Sequence, residues 1–280
     1  MDPKPPIEDN AEDVIGKAQR GLKWSDAVLA ARAGIAEEKL REAKAGAAEE
    51  TVWRALAPVL ALDADALMAL ARKSWYPETP VLPAGFAMFT TPFGGDMTVN
   101  NYLVWDPATR EAAVFDTGTG IAELLARVAA EQLRVRSIFL THTHPDHVEK
   151  LAELMAATSA TVFTHAREPV AVAATVFSGK NSFACGGLTI RTRETWGHSP
   201  GMTTYVVDGL ARRLAVVGDA VFSGSMGGSA DFFAEQKRHN AEEIFTLPDD
   251  TILAPGHGPL TTVGWEKKHN PFFAGKQFSA

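Results

Sequence analysis

Residues 141–147 read Thr-His-Thr-His-Pro-Asp-His, which sets His142, His144, Asp146 and His147 in the pattern H-x-H-x-D-H directly after an apolar run, residues 135–140. Imidazole and carboxylate donors suit zinc, iron or manganese. Four more segments carry donors at the ends of apolar runs: Asp116 in residues 115–118, His198 in 197–201, Asp219 in 217–219 and His257 in 255–259. A dinuclear centre needs about seven protein ligands, counted from roughly three per catalytic zinc plus a bridge. His142, His144 and His198 can hold one cation. Asp146, His147 and His257 can hold the second, and the two oxygens of Asp219 can bridge. Asp116 reads as a partner for a ligand imidazole, fixing its tautomer. Glycines beside the ligands (Gly197, Gly218, Gly256, Gly258) permit close backbone approach. A structural zinc site is usually four-coordinate and thiolate-rich, which the single cysteine, Cys185, does not fit.

The chemistry expected is metal-dependent hydrolysis. A water between two divalent cations ionises near neutral pH and can attack a carbonyl polarised by a metal. The expected cofactors are two divalent ions, zinc first, with iron or manganese as alternatives. Asp146 and Asp116 are the expected catalytic carboxylates. Ser199 stands beside His198, but no Ser-His-Asp arrangement is legible, so it reads as a turn residue. His165, His239 and His269 read as non-ligands, with His239 and His269 solvated among lysines.

The elements that must position these residues divide the chain by texture. Residues 11–74 are rich in Ala, Leu, Glu, Lys and Arg, good helix formers, and read as four or five short helices. Two prolines in residues 75–80 predict a linker. Beyond it, strands are predicted over 86–90, 101–105, 112–115, 135–140, 160–163, 188–192, 203–207, 214–217 and 251–253, with helices over 121–132, 148–157 and 241–247. The expectation is an α/β fold: two sheets faced by helices, with a helical domain over 1–80 and a hydrolase domain over 81–280.

Composition narrows the partners. The 280 residues are 46% apolar and 22% charged, with a net charge of −7. That argues against nucleic acid or an anionic membrane held by bulk electrostatics. Residues 1–6 are polar and proline-rich, unlike a signal peptide, and a cytoplasmic protein acting on a small molecule is expected.

These segments resemble the metallo-β-lactamase-fold superfamily over roughly residues 83–274, and within it the glyoxalase II-like (hydroxyacylglutathione hydrolase-like) branch. Residues 141–147, 196–201 and 218–225 carry the resemblance, together with the tail from 247–250 through 255–259 to His269-Asn270-Pro271-Phe272-Phe273. It implies an αββα sandwich, two metals on the ligands named above, and thioester hydrolysis. Lactone or β-lactam hydrolysis uses the same centre, and a related persulfide dioxygenase uses one iron on two histidines and an aspartate. The chain departs from the branch at Val148-Glu149-Lys150, where glycines are usual, and at Gly228, where a basic residue helps hold glutathione. Residues 274–280 leave no room for the branch's C-terminal helical domain within this sequence, so glutathione thioesters are not the expected substrates.

The N-terminal half resembles, more weakly, the helix-turn-helix of Cro/C1-type repressors, with residues 36–43 as its recognition helix. Glu37, Glu38 and Glu42 would face phosphates unfavourably. A packing, lid or dimerisation role, including homo-oligomerisation through these helices, is expected over a DNA-binding regulator.

Overall fold

The computed structural model describes residues 4–95 and 97–278; the first three residues of the polar amino-terminal stretch lie outside them. Short helices come first: α1 (Ala11–Gly21), α2 (Asp26–Ala33), α3 (Glu37–Lys44), α4 (Glu50–Val59) and α5 (Ala64–Ala71). Their starts and stops follow local chemistry. Ser25 Oγ accepts from Val28 N and Asp63 from Ala66 N, capping α2 and α5, while Gly34 at φ 64° ends α2.

The first sheet runs β1 (Phe86–Phe93), β2 (Met97–Trp105), β3 (Glu111–Phe115), β4 (Arg134–Phe139), β5 (Thr161–His165) and β6 (Thr175–Phe177), in that spatial order. It is antiparallel from β1 to β3 and parallel from β3 to β6. Helices α6 (Ala122–Ala130), α7 (Pro145–Val148) and α8 (Leu151–Thr158) lie in its crossovers. The second sheet contains β7 (Ser182–Cys185), β8 (Leu188–Glu194), β9 (Thr203–Asp208), β10 (Leu214–Gly218), β11 (Ile252–Pro255) and β12 (Thr261–Thr262), again in sequence order. Only its β10–β11 pair is parallel, and α9 (Phe233–Glu243) makes that crossover. Helix α10 (Val263–His269) follows β12.

Alternation along the strands builds three apolar layers. Between the sheets pack Tyr102, Phe115, Phe139, Tyr205, Leu214 and Ile252. On the outer face of the first sheet, Leu103, Val114 and Ile138 meet Leu124 and Leu154. On the outer face of the second, Val206, Ala215, Val217 and Leu253 share one core with Leu29, Leu40, Trp53, Leu56, Phe245, Phe272 and Phe273. The architecture is an αββα sandwich with the N-terminal helices laid on its second sheet.

Several elements differ from the sequence reading. The helix expected over 241–247 is α9, Phe233–Glu243, and Ile244, Phe245 and Leu247 lie in the turn after it, buried. Its inward face carries Gln236, His239 and Asn240, so no apolar periodicity marks it. The helix expected over 148–157 is α8, which starts later, at Leu151, with Val148 closing the separate short α7. The short strands β6 and β7 were not expected; exposed residues make up two of the three positions of β6 and two of the four of β7, too few buried positions to show alternation.

Candidate metal centre

The donors gather where strands end. His142 and His144 sit on the loop after β4, Asp146 and His147 on α7, and His198 in the turn between β8 and β9. Asp219 and His257 follow the parallel pair β10 and β11. Pro145 at the first position of α7 suits its fixed φ and missing N–H. Gly256 is required by crowding: a Cβ there would lie 2.1 Å from Asp219 Oδ1 and 2.6 Å from His147 Cε1. Asp116, at φ 54°, holds a left-handed conformation that costs a non-glycine residue energy unless its surroundings impose it.

The ligand atoms form two triads. His144 Nδ1 lies 3.1 Å from both His142 Nε2 and His198 Nε2. Asp146 Oδ2 lies 3.3 Å from His257 Nε2 and 3.6 Å from His147 Nε2. Asp219 touches both groups, with Oδ1 3.4 Å from His147 Nε2 and Oδ2 3.4 Å from His198 Nε2 and 3.5 Å from His257 Nε2.

Tautomers test whether a cation fits. Thr141 Oγ1 donates to Asp116 Oδ2 (2.7 Å), so His142 Nδ1–H must donate to Thr141 Oγ1 (3.0 Å). His147 Nδ1–H donates to Asp116 Oδ2 (2.8 Å), His198 Nδ1–H to Gly228 O (2.8 Å) and His257 Nδ1–H to Thr98 O (2.6 Å). When these rings are neutral, all four Nε2 atoms present bare lone pairs to one another and to carboxylate oxygens. Buried His147 Nε2 and Asp219 Oδ1 have no hydrogen-bond partner, which is costly unless something compensates. Divalent cations resolve this arrangement. Tetrahedral zinc with Zn–N of about 2.0–2.1 Å spaces its ligand atoms by roughly 3.3 Å, close to the spacing found.

Electrostatics point the same way. Burial opposes charge on His147 and His257, but Asp219 together with Asp116 at His147 and with Asp146 and Glu8 at His257 overcomes it, raising them to about 10 and about 11. Burial would lift the Asp219 carboxyl, yet His257 and His147 hold it well below the usual carboxylate range. Burial pushes His142 well down and His198 down. The carboxylates that favour positive charge on His147 and His257 would favour a divalent cation in the same place, and binding one would require both rings in their neutral form.

All seven expected ligands come together, and Asp116 lies behind them, accepting from Thr141 N, Thr141 Oγ1 and His147 Nδ1. It acts through His147 rather than facing the centre, so it is a positioning residue. His165, His239 and His269 stay outside. His239 is not solvated as expected: it is buried, and Nδ1–H donates to Trp196 O at 2.9 Å. His269 is half-buried, its ring 4.5 Å from that of Trp265 and 5.7 Å from that of Trp75. Sequence reasoning missed the backbone acceptors Thr98 O and Gly228 O, which no side-chain pattern announces, and Glu168, a buried carboxylate between two ligand loops.

The sandwich and the paired triads define a protein built to hold divalent metal at the strand ends of two facing sheets. Residues 94–257 match the family model of the metallo-beta-lactamase superfamily, and the chain belongs to that superfamily. The hydroxyacylglutathione hydrolase GloC of Haemophilus influenzae is 25% identical over 202 residues, covering 63% of this chain and 93% of that protein. Among solved structures, ETHE1 from Myxococcus xanthus has a TM-score of 0.59 at 27% identity, covering 68% of this chain and 86% of the other. The B3 metallo-beta-lactamase BLEG-1 gives 0.57 at 28%, covering 68% and 100%.

Proposed function

We propose that the protein is a dinuclear metal-dependent hydrolase of small acyl thioesters, with weak selection for a glutathione leaving group. The observation that carries the dinuclear part is Asp219, which stands between the two triads: its Oδ2 lies beside His198 of the first and His257 of the second, and its Oδ1 beside His147 of the second. The likeness to a hydroxyacylglutathione hydrolase supports the thioester. Two cations held there would supply a hydroxide nucleophile at neutral pH and polarise the carbonyl. The chain's own part is to hold seven ligands in place, with tautomers fixed by Asp116, Thr141, Thr98 and Gly228.

Selectivity follows from the wall beside His198. A cleft of about 250 Å³ opens there, lined by Gly197, Pro200 and residues 228–232. Gly228 offers no charge. Lys17 from α1 passes 3.8 Å from where a Gly228 Cβ would stand, but its ammonium pairs with Asp9 and donates to Met226 O at 3.0 Å. A glutathione carboxylate therefore forgoes a charge-assisted hydrogen bond, on the order of 1.5–3 kcal/mol, or roughly tenfold to a hundredfold in affinity.

The test is kcat/KM for an acyl-glutathione against the same acyl group on a small neutral thiol. We expect a ratio within about a hundredfold, and a glutathione preference of a thousandfold or more would reject this selectivity. The resemblance to BLEG-1 keeps β-lactam hydrolysis as a second reading; a panel including β-lactams and lactones separates the two. Metal analysis with oxygen uptake separates both from a one-iron dioxygenase.

A further inference from the structure

Glu168 lies in the loop after β5, 2% exposed. It is mounted rigidly: its N–H donates to His165 O at 2.8 Å and its carbonyl accepts from Thr164 Oγ1 at 2.7 Å. Its carboxylate then reaches two loops from opposite sheets. Oε2 accepts from Thr143 N (2.9 Å) and Thr143 Oγ1 (2.7 Å), between His142 and His144. Oε1 accepts from Gly201 N (2.7 Å) and from Ser199 Oγ, next to His198. The approach is close enough that a Cβ on Gly201 would stand 2.8 Å from Glu168 Cγ.

These two loops supply all three imidazoles of the first triad. The second triad is held by other means, His147 by Asp116 and His257 by Thr98 O. We propose that Glu168 is a positioning residue that sets the spacing of the first metal site and leaves the second to Asp116 and the backbone. The proposal rests on the dinuclear reading above. Each carboxylate oxygen faces one backbone N–H, which can only donate. Four donors on two oxygens require acceptors at both ends, and glutamine has only one; its amide NH₂ would face an N–H at Thr143 or Gly201.

The test is zinc or cobalt titration of metal-free wild type and Glu168→Gln, with bound metal counted and the thermal midpoint of the metal-free proteins measured alongside. We expect wild type to bind two ions. The variant should bind one ion as wild type does and the other on the order of tenfold to a hundredfold more weakly. A mere packing role would lower the metal-free midpoint and weaken both sites together. Combining the change with His257→Ala identifies the survivor: if the weakened site is the first triad, the double variant holds no tight ion. Should Glu168→Gln fail to fold, Thr143→Val and Ser199→Ala each remove one donor without opposing two, and each should weaken one site by a few-fold. Two wild-type affinities in the variants, or equal loss at both sites, overturns the assignment. Fewer than two ions in wild type overturns the dinuclear reading itself.

Discussion

At the scale of single residues, each ligand imidazole other than His144 has its second nitrogen committed to a fixed acceptor. From behind the ligands Asp116 serves both halves of the centre, through Thr141 to His142 and directly to His147. Because His257 touches Asp146 and Asp219 but belongs to one triad only, His257→Ala should empty the second site while sparing the first. Elemental analysis should fall from two metals per chain toward one. Retention of two would contradict the division into triads. The pattern H-x-H-x-D-H was legible because its donors are neighbours in the chain. Glu168 was not, since 25 to 33 residues separate it from the groups it binds and a lone glutamate has no spacing to read.

At the scale of elements, helices on the second sheet hold the ligand loops with polar side chains. From α9, Gln236 donates to Gly227 O (2.9 Å) and Asn240 to Ala220 O (2.6 Å), flanking the segment after Asp219. From α10, Glu266 accepts from Gly224 N and Thr261 Oγ1, and the adjacent Asn270 donates to Ser225 O (2.7 Å). Burial lifts Glu266 from an ordinary 4.5 to about 7 against these donors. Its folded-state value lies above the unfolded one, so its contribution to stability is full below about pH 4.5 and is lost as pH rises through about 7. The loss amounts to something on the order of 3 kcal/mol. Glu266→Gln imitates the protonated acid, with its NH₂ donating to Thr261 Oγ1. Urea midpoints from pH 5 to 8 should fall more steeply in wild type than in this variant, and parallel curves would refute a protonated Glu266. The same polar helix face explains why α9 was misplaced from sequence: apolar periodicity reports burial only when the buried face is apolar.

At the scale of the whole molecule, the N-terminal helices complete a layer. Asp63 N donates to Pro271 O at 2.8 Å, tying α5 to the tail that carries Phe272 and Phe273. Leu29, Leu40, Trp53 and Leu56 are at most 2% exposed, and each such burial is worth about 1.5–3 kcal/mol. Among the described residues, no helix is long and apolar enough to cross a membrane. We expect removal of residues 1–75 to bare Val206, Ala215, Val217 and Leu253 and to yield protein that aggregates or melts well below the full chain. A soluble truncation with an unchanged midpoint would show that these helices are dispensable to the fold. The full chain should show no tight duplex binding at physiological salt; α3 exposes Glu37 and Glu38 on its first turn, and binding lost on deletion would reverse that reading.

The amino-acid sequence by itself made the two-sheet class and the candidate donors legible, because donors at strand ends and alternating apolar runs are local signals. Residues 141–147 needed no tertiary information to be read as metal ligands. The tertiary structure alone decided that Thr98 O and Gly228 O orient imidazoles, that Glu168 joins the two loops, and that α1 to α5 share a core with the second sheet. Those relations are made between residues far apart in the chain, through backbone carbonyls and single buried side chains. Only the closed packing of the sheets brings them into register.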